Sequence, residues 1–164
     1  MSRIQLLVDG VQVYDSGAAT PSPVPNPTPT PTPMPTPAPV DPNIPLLTTN
    51  VPIRNYTVDA LGSRIFQFTL PSTAYAVQMS MGTQDWTTDI DMFVKKGSVP
   101  TLDDYQKLKS SGINGAGPNY WSSFGADSNE TFYMWNVPAG TYYIFLHNNT
   151  NMGGKFELMF SVVN

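Results

Sequence analysis

Cysteine is absent from this 164-residue chain, histidine occurs once, and only 12% of the residues are charged. Without cysteine, no disulfide supports the fold, thiol chemistry is excluded, and the redox character of the compartment is not written in the sequence. One histidine and no cysteine leave no usual zinc-ligand set. Any Ser-His-Asp arrangement would have to pass through His147 in "FLHNNTN", at a strand end leading into an Asn-rich loop. No Gly-x-Ser-x-Gly nucleophile elbow accompanies it, so catalysis is not expected. The net charge is −4 with acids and bases scattered, which argues against electrostatic capture of nucleic acid or of an anionic membrane. No apolar run approaches the ~20 residues needed to cross a bilayer. At the start, Arg3 is followed by only five residues, Ile4 to Val8, before Asp9. That falls short of the apolar run of about 7–15 residues in a secretory signal.

Proline, by contrast, is abundant in one place. Of 17 prolines, 12 lie between Pro21 and Pro45, and "TPSPVPNPTPTPTPMPTPAP" has one at every second position from Pro21 to Pro39. Such a segment cannot build a core and favours polyproline II. At ~3.1 Å per residue it would span on the order of 60 Å, a semi-rigid spacer. Gly17-Ala18-Ala19 before it and Asp41-Pro42-Asn43 after it read as joints.

Before the spacer, "IQLLV-DG-VQVY" reads as a β-hairpin. Asp9-Gly10 suits a two-residue type I′ turn, in which both positions need positive φ. That register pairs Val8 with Val11 and Leu6 with Val13, giving one face of Leu6, Val8, Val11 and Val13 with Ile4 at its end. Tyr14 lies on the other face. A lone hairpin with an exposed apolar face is marginal in water, so Ile4, Leu6, Val8, Val11, Val13 and Tyr14 are candidate partner-binding residues.

After the spacer the chain reads as all-β, with short alternating strands separated by Gly, Pro, Asn and Ser clusters. "SRIFQFTLP", "YAVQMSMG", "DIDMFVKKG", "ETFYMWNVP", "GTYYIFLHNN" and "GKFELMFSVV" are the strand candidates. "TLDDYQKLK" is expected to form no more than one helical turn, capped by Thr101 or Asp103. The expected fold is an antiparallel β-sandwich or jelly-roll-like domain. Phe132 to Trp135 and Tyr142 to Phe145 are expected to supply much of its core. Boundaries fall at 1–19 for the hairpin arm, 20–45 for the extended linker and 46–164 for the sandwich.

The ordered motifs "DIDMFVKKGSVPTLDDYQ" and "SNETFYMWNVPAGTYYIFLHNNTNMGGKFELMFSV" resemble the bacterial pre-peptidase C-terminal domain. Asp89, Asp91, Phe93, Val94, Gly97, Pro100, Thr101, Asn129, Glu130, Gly140, Thr141, Tyr142 and Tyr143 carry the resemblance, which covers roughly Thr57 to Val163. It implies a compact β-sandwich appended to secreted bacterial enzymes, without catalysis of its own. In such enzymes it aids secretion, localisation or binding of bulky substrates, and some relatives bind calcium.

Two residue groups are candidates for ligands. Asp85, Asp89 and Asp91 in "DWTTDID" include two carboxylates on one strand face, which need hydrogen bonds, a basic partner or a cation. Calcium, which takes about six to eight oxygen ligands, is one reading, with Asp127, Asn129 or Glu130 completing a shell. Capping of backbone N–H groups is the other. In "NGAGPNYWSSFG", Tyr120, Trp121 and Phe124 either stack on a sugar or protein partner or pack beneath their own loop. No other cofactor is expected.

A hairpin in want of a partner, a proline spacer and a β-sandwich together suggest a non-catalytic virion accessory. Phage head-decoration proteins and fibres are built in this style. Expected partners are other subunits of a particle or appendage through residues 1–20, and a host-surface glycan or protein. Expected also are homo-oligomerisation and a place on a virion surface or outside the cell. The alternative is a secreted bacterial binding or secretion-associated module.

Overall fold

The structure, a computed structural model, describes residues 7–8, 11–12, 39–83, 87–112, 115–117, 119–126 and 129–163. The chain divides into two compact units, Met1–Met34 and Pro35–Asn164. In the first, β1 (Leu7–Val8) pairs antiparallel with β2 (Val11–Gln12), placing Val8 opposite Val11 and Leu7 opposite Gln12. This is the register that a two-residue Asp9-Gly10 connection dictates. Ile4, Leu6, Val13, Tyr14 and residues 20–38 of the linker lie outside the described residues.

The second unit is the sandwich. Its strands are β3 (Ile53–Val58), β4 (Ser63–Leu70), β5 (Ala74–Thr83) and β6 (Ile90–Lys96), followed by helix α1 (Leu102–Ser110). Then come β7 (Gly115–Gly117), β8 (Tyr120–Ser123), β9 (Glu130–Val137), β10 (Gly140–Asn148) and β11 (Gly154–Val163). They form a five-stranded sheet in the order β4-β10-β6-β8-β7 and a four-stranded sheet in the order β3-β11-β5-β9. All these pairs are antiparallel. The fold is the all-β sandwich that the alternating strands indicate.

The core lies between the two inner faces. Phe66, Phe68 and Leu70 of β4, Met92 and Val94 of β6, and Tyr142, Ile144 and Leu146 of β10 come from one sheet. Val77, Met79 and Met81 of β5, Met134 of β9, and Phe156, Leu158 and Phe160 of β11 come from the other. Phe68 stacks on Tyr142 of its own sheet at 5.0 Å between centroids and on Phe160 of the opposite sheet at 4.5 Å. Aromatic pairs of this kind add about 0.5–1.5 kcal/mol beyond the area they bury. The Tyr142 hydroxyl leaves the core by donating to the Pro138 carbonyl at 2.6 Å. Burial raises its pKa.

Polar residues in the core are anchored to backbone. Gln67 of β4 is fully buried because a strap of chain lies over it. Its Nε2 donates to the carbonyls of Ile44 (2.6 Å) and Asp41, and its Oε1 accepts from the Asp41 N–H at 3.0 Å. Its backbone bonds the Pro45 carbonyl and the Leu47 N–H. Residues 41–45, placed in the linker by composition, are therefore hydrogen-bonded to the sandwich. Asn148, also buried, donates to the carbonyls of Asp59 and Met152 and accepts from the Thr150 N–H. That holds the 149–153 loop closed. Gly140, after the Val137-Pro138-Ala139 turn, has φ of 149°, which disfavours a side chain, and a Cβ there would meet Lys96 at 2.9 Å.

Helix α1 is longer than the single turn expected. Thr101 and Asp104 form a capping box, and the first turn holds Asp103 and Asp104 while the last holds Lys107 and Lys109. Both charge placements complement the helix dipole. An Asp103–Lys107 ion pair at 2.7 Å adds i,i+4 support. Only Tyr105 and Leu108 dock inward, so the apolar period is too sparse to read from sequence.

We expect Phe68→Ala to lower unfolding free energy by about 3–5 kcal/mol in urea denaturation, since it removes the ring shared by both sheets. A loss below about 1 kcal/mol would contradict this packing.

Candidate functional site

The two sheets turn unlike outer faces to their surroundings. On the five-stranded sheet, the side chains that alternate away from the core are Asp91 and Phe93 of β6 and Phe145 and His147 of β10. Phe93 and Phe145 form a second apolar cluster with Tyr105 of α1, and Ile65, Leu108, Tyr120 and Phe124 pack around it. The helix thus serves as a lid on this face.

Beneath the helix lies a polar knot. The Asp91 side chain is fully buried, and its Oδ2 accepts from Lys109 Nζ at 2.6 Å, Asn149 Nδ2 at 2.8 Å and the Tyr105 hydroxyl at 2.5 Å. The same Tyr105 oxygen lies 2.8 Å from Asn149 Oδ1, and Lys109 Nζ lies 5.6 Å from the centre of its ring. Burial, followed by the Asp91 carboxylate, pushes the Tyr105 phenol up to about 12. For Lys109 burial works against the charge, but the hydrogen bonds to Asp91 and Tyr105 outweigh it and hold the ammonium above its ordinary range.

The aspartates weighed as calcium ligands are therefore used otherwise. Asp91 is balanced by Lys109. Asp89 accepts from Asn149 Nδ2 at 3.3 Å and, through its carbonyl, from the Asn149 N–H at 2.8 Å. Asp85 lies outside the described residues. Glu130 turns to the Ser123 hydroxyl and the Gly125 N–H. Among the described residues no three His, Asp or Glu side chains gather as a metal site. Asp127 also lies outside the described residues, and a divalent cation on Asp91 Oδ2 would have to displace the Lys109 ammonium.

His147 sits at the rim of the same knot. Its Nδ1 is 2.9 Å from the Ser63 hydroxyl, and its ring is 4.8 Å from that of Tyr105. Burial lowers its pKa, so the imidazole is neutral at pH 7. Asp91 accepts its hydrogen bonds from Lys109, Tyr105 and Asn149 rather than from the imidazole, and no relay from carboxylate through histidine to serine forms among the described residues.

The loop aromatics are likewise structural. Segment 115–123 forms a hairpin, β7–β8, at the sheet edge. Trp121 is 7% exposed and belongs to the main core, 5.9 Å from Tyr142. Tyr120 packs toward Phe93, and Phe124 sets its edge on Tyr105 at 5.6 Å. Trp121 is nearly buried, and the other two rings pack on the Phe93–Tyr105–Phe145 cluster.

The four-stranded sheet supplies what the loop does not. On its outer face Tyr75, Tyr133 and Trp135 are 61%, 48% and 56% exposed. Tyr75 sets its edge against Trp135 at 5.6 Å, and Tyr133 lies nearly parallel to Trp135, 20° between planes and 5.6 Å between centroids. Sequence reading assigned Phe132 to Trp135 to the core; only Met134 of that run is fully buried, and Phe132 is partly so. In "ETFYMWNV" both alternating sets are apolar, so alternation marks two faces without telling which is outward.

Two comparisons find nothing: no family model matches the chain, and no curated protein does. Among solved structures, the chain is similar to the pre-peptidase C-terminal domain of collagenase from Bacillus anthracis. The TM-score is 0.45 and the identity 13%, over 73% of this chain and 95% of that one. This is the domain type that the sequence motifs resemble.

We expect Lys109→Met to cost about 1–3 kcal/mol, discounted for the 41% exposure of the lysine head, because the buried Asp91 loses its counter-charge. Asp91→Leu combined with Lys109→Met should restore most of it; a neutral single variant in urea denaturation would contradict the pairing. The pH profile should fall at both ends. The folded pKa of His147 lies below the ordinary 6.5, so the unfolded chain binds the proton first and stability declines as pH drops through 6.5. Tyr105 keeps its proton to about 12 where an unfolded tyrosine ionises near 10.0, so stability also declines from pH 10 upward. Thermal unfolding against pH checks both arms, and His147→Gln should flatten the acidic one.

Proposed function

We propose that this chain is a non-catalytic display protein, an accessory of a virion or comparable surface appendage. The N-terminal hairpin lodges in another subunit by strand addition or burial of its apolar face. The proline-rich segment acts as the spacer, and the sandwich makes the outward contact. The observation that carries this reading is the hairpin itself, with Val8 opposite Val11 across Asp9-Gly10. An arm of this size cannot cover its own apolar face. The polar knot under α1 supports the non-catalytic part, because its charges are spent on one another.

Deleting residues 1–20 tests it. In gradient fractionation of lysates from producing cells, the full chain should sediment with particles, while the truncated chain stays soluble and keeps its unfolding midpoint. Particles that retain the truncated chain would contradict the anchoring role. A second reading, a secreted bacterial binding module, is favoured by the motifs between Thr57 and Val163. It expects the truncated chain to behave like the full one.

A further inference from the structure

The outer face of the four-stranded sheet is ordered by its register into rows. Trp135 lies beside Ala76, and Ala76 beside Val163; Tyr133 beside Gln78, and Gln78 beside Ser161; Thr131 beside Ser80, and Ser80 beside Met159. Helix α1, the single helix among the described residues, packs on the other sheet. Ala76 is nevertheless only 1% exposed, although it belongs to the outer row rather than to the main core. The rings of Tyr75 and Trp135 flank it and are braced edge to face. The rings are thus held in place before any partner arrives.

We propose that this face binds a neutral oligosaccharide, with Trp135 and Tyr133 as stacking surfaces and Gln78, Ser80 and Ser161 as hydrogen-bonding groups. These features select that ligand class. None of the three rows contains a charged side chain, which disfavours acidic glycans. With a net charge of −4, it also disfavours nucleic acid, whose capture depends on Lys and Arg. Beside the rings stand the amide of Gln78 and the hydroxyls of Ser80, Thr131 and Ser161, with Met159 and Val163 at the far ends of two rows. Rings with a few convergent polar groups are the composition that binds an amphipathic small ligand. The three rows from Ala76 to Ser80 run about 13 Å along β5, room for two or three sugar units, and the next row pairs Gly82 with Glu157. They lead to a depression of about 410 Å³ lined in part by Ser80, Gly82, Arg54 and Glu157.

This deepens the display reading by naming what the sandwich holds, and it rests on the sheet surface, not on the hairpin. Failure of particle incorporation and failure of sugar binding are therefore separate results. The test uses the full chain on an array of neutral and sialylated glycans, then amide shift mapping with the strongest neutral oligosaccharide. Binding of neutral glycans, with shifts centred on residues 131–135 and 76–80, supports the proposal. So does a loss of affinity of at least about tenfold in Trp135→Ala and Tyr133→Ala, with Leu61→Ala, at an exposed position on another loop, unchanged. Shift mapping on the unaltered chain keeps the test valid if a variant misfolds. No binding at millimolar glycan, preference for sialylated glycans, shifts elsewhere, or concentration-dependent self-association through this face would each overturn it.

Discussion

The stack of Phe68 between Tyr142 and Phe160 is the contact on which the sandwich depends. It joins a ring from each of two neighbouring strands in one sheet to a ring from the other sheet, with centroids at 5.0 and 4.5 Å. No disulfide assists it. A domain closed this way has one shared interior and two outer faces, and each outer face must be reconciled with water separately. That division organises the rest of the molecule.

On the five-stranded sheet the solution is a cover. Phe93 and Phe145 would be apolar surface, and α1 lays Tyr105 and Leu108 over them. A short helix crossing a greasy surface has little to fix its position. The buried Asp91 provides it, since Lys109, Tyr105 and Asn149 converge on one carboxylate oxygen from the helix and from the loop after β10. A buried ion pair of this kind adds little net stability compared with apolar packing, yet losing one member is costly. Its effect is to seat the helix. The four-stranded sheet is treated differently, with no helix over it and a mixed outer face of polar, charged and apolar side chains such as Gln78, Glu157 and Val163. Tyr75, Tyr133 and Trp135 stand out on it because solubility alone does not call for three touching rings.

Much of this was legible in the chain and some was not. The strands announced themselves through two-residue alternation, and in "SRIFQFTL" Gln67 and Thr69 interrupt one set while Phe66, Phe68 and Leu70 form the set that faces the core. Asp9-Gly10 specified the register of the hairpin. Alternation failed in "ETFYMWNV", where both faces carry large apolar residues and only the neighbouring strand decides which is outward. The sequence leaves Trp121 open between a surface platform and a ring packed beneath its own loop, because its neighbours are glycine, serine and asparagine. Gly115, Gly117, Ser122 and Ser123 lie on the strands of an edge hairpin whose one large inward ring completes the core. The aspartates near position 90 looked like cation ligands because Lys109 is 18 residues away from Asp91, a separation that only the tertiary fold closes. Gln67 gave no hint that it would pull residues 41–45 onto the sandwich, since long-range hydrogen bonds have no local pattern.

The central claim is that the two outer faces are unlike, one sealed by α1 and the other presenting aromatic rings. Hydroxyl-radical footprinting of the full chain in solution, read by mass spectrometry, tests it residue by residue. Trp135, Tyr133 and Tyr75 should oxidise rapidly, while Trp121, Tyr105 and Phe93 are protected until the protein unfolds. Equal oxidation of Trp121 and Trp135, or protection of Trp135 in the isolated chain, would contradict the account.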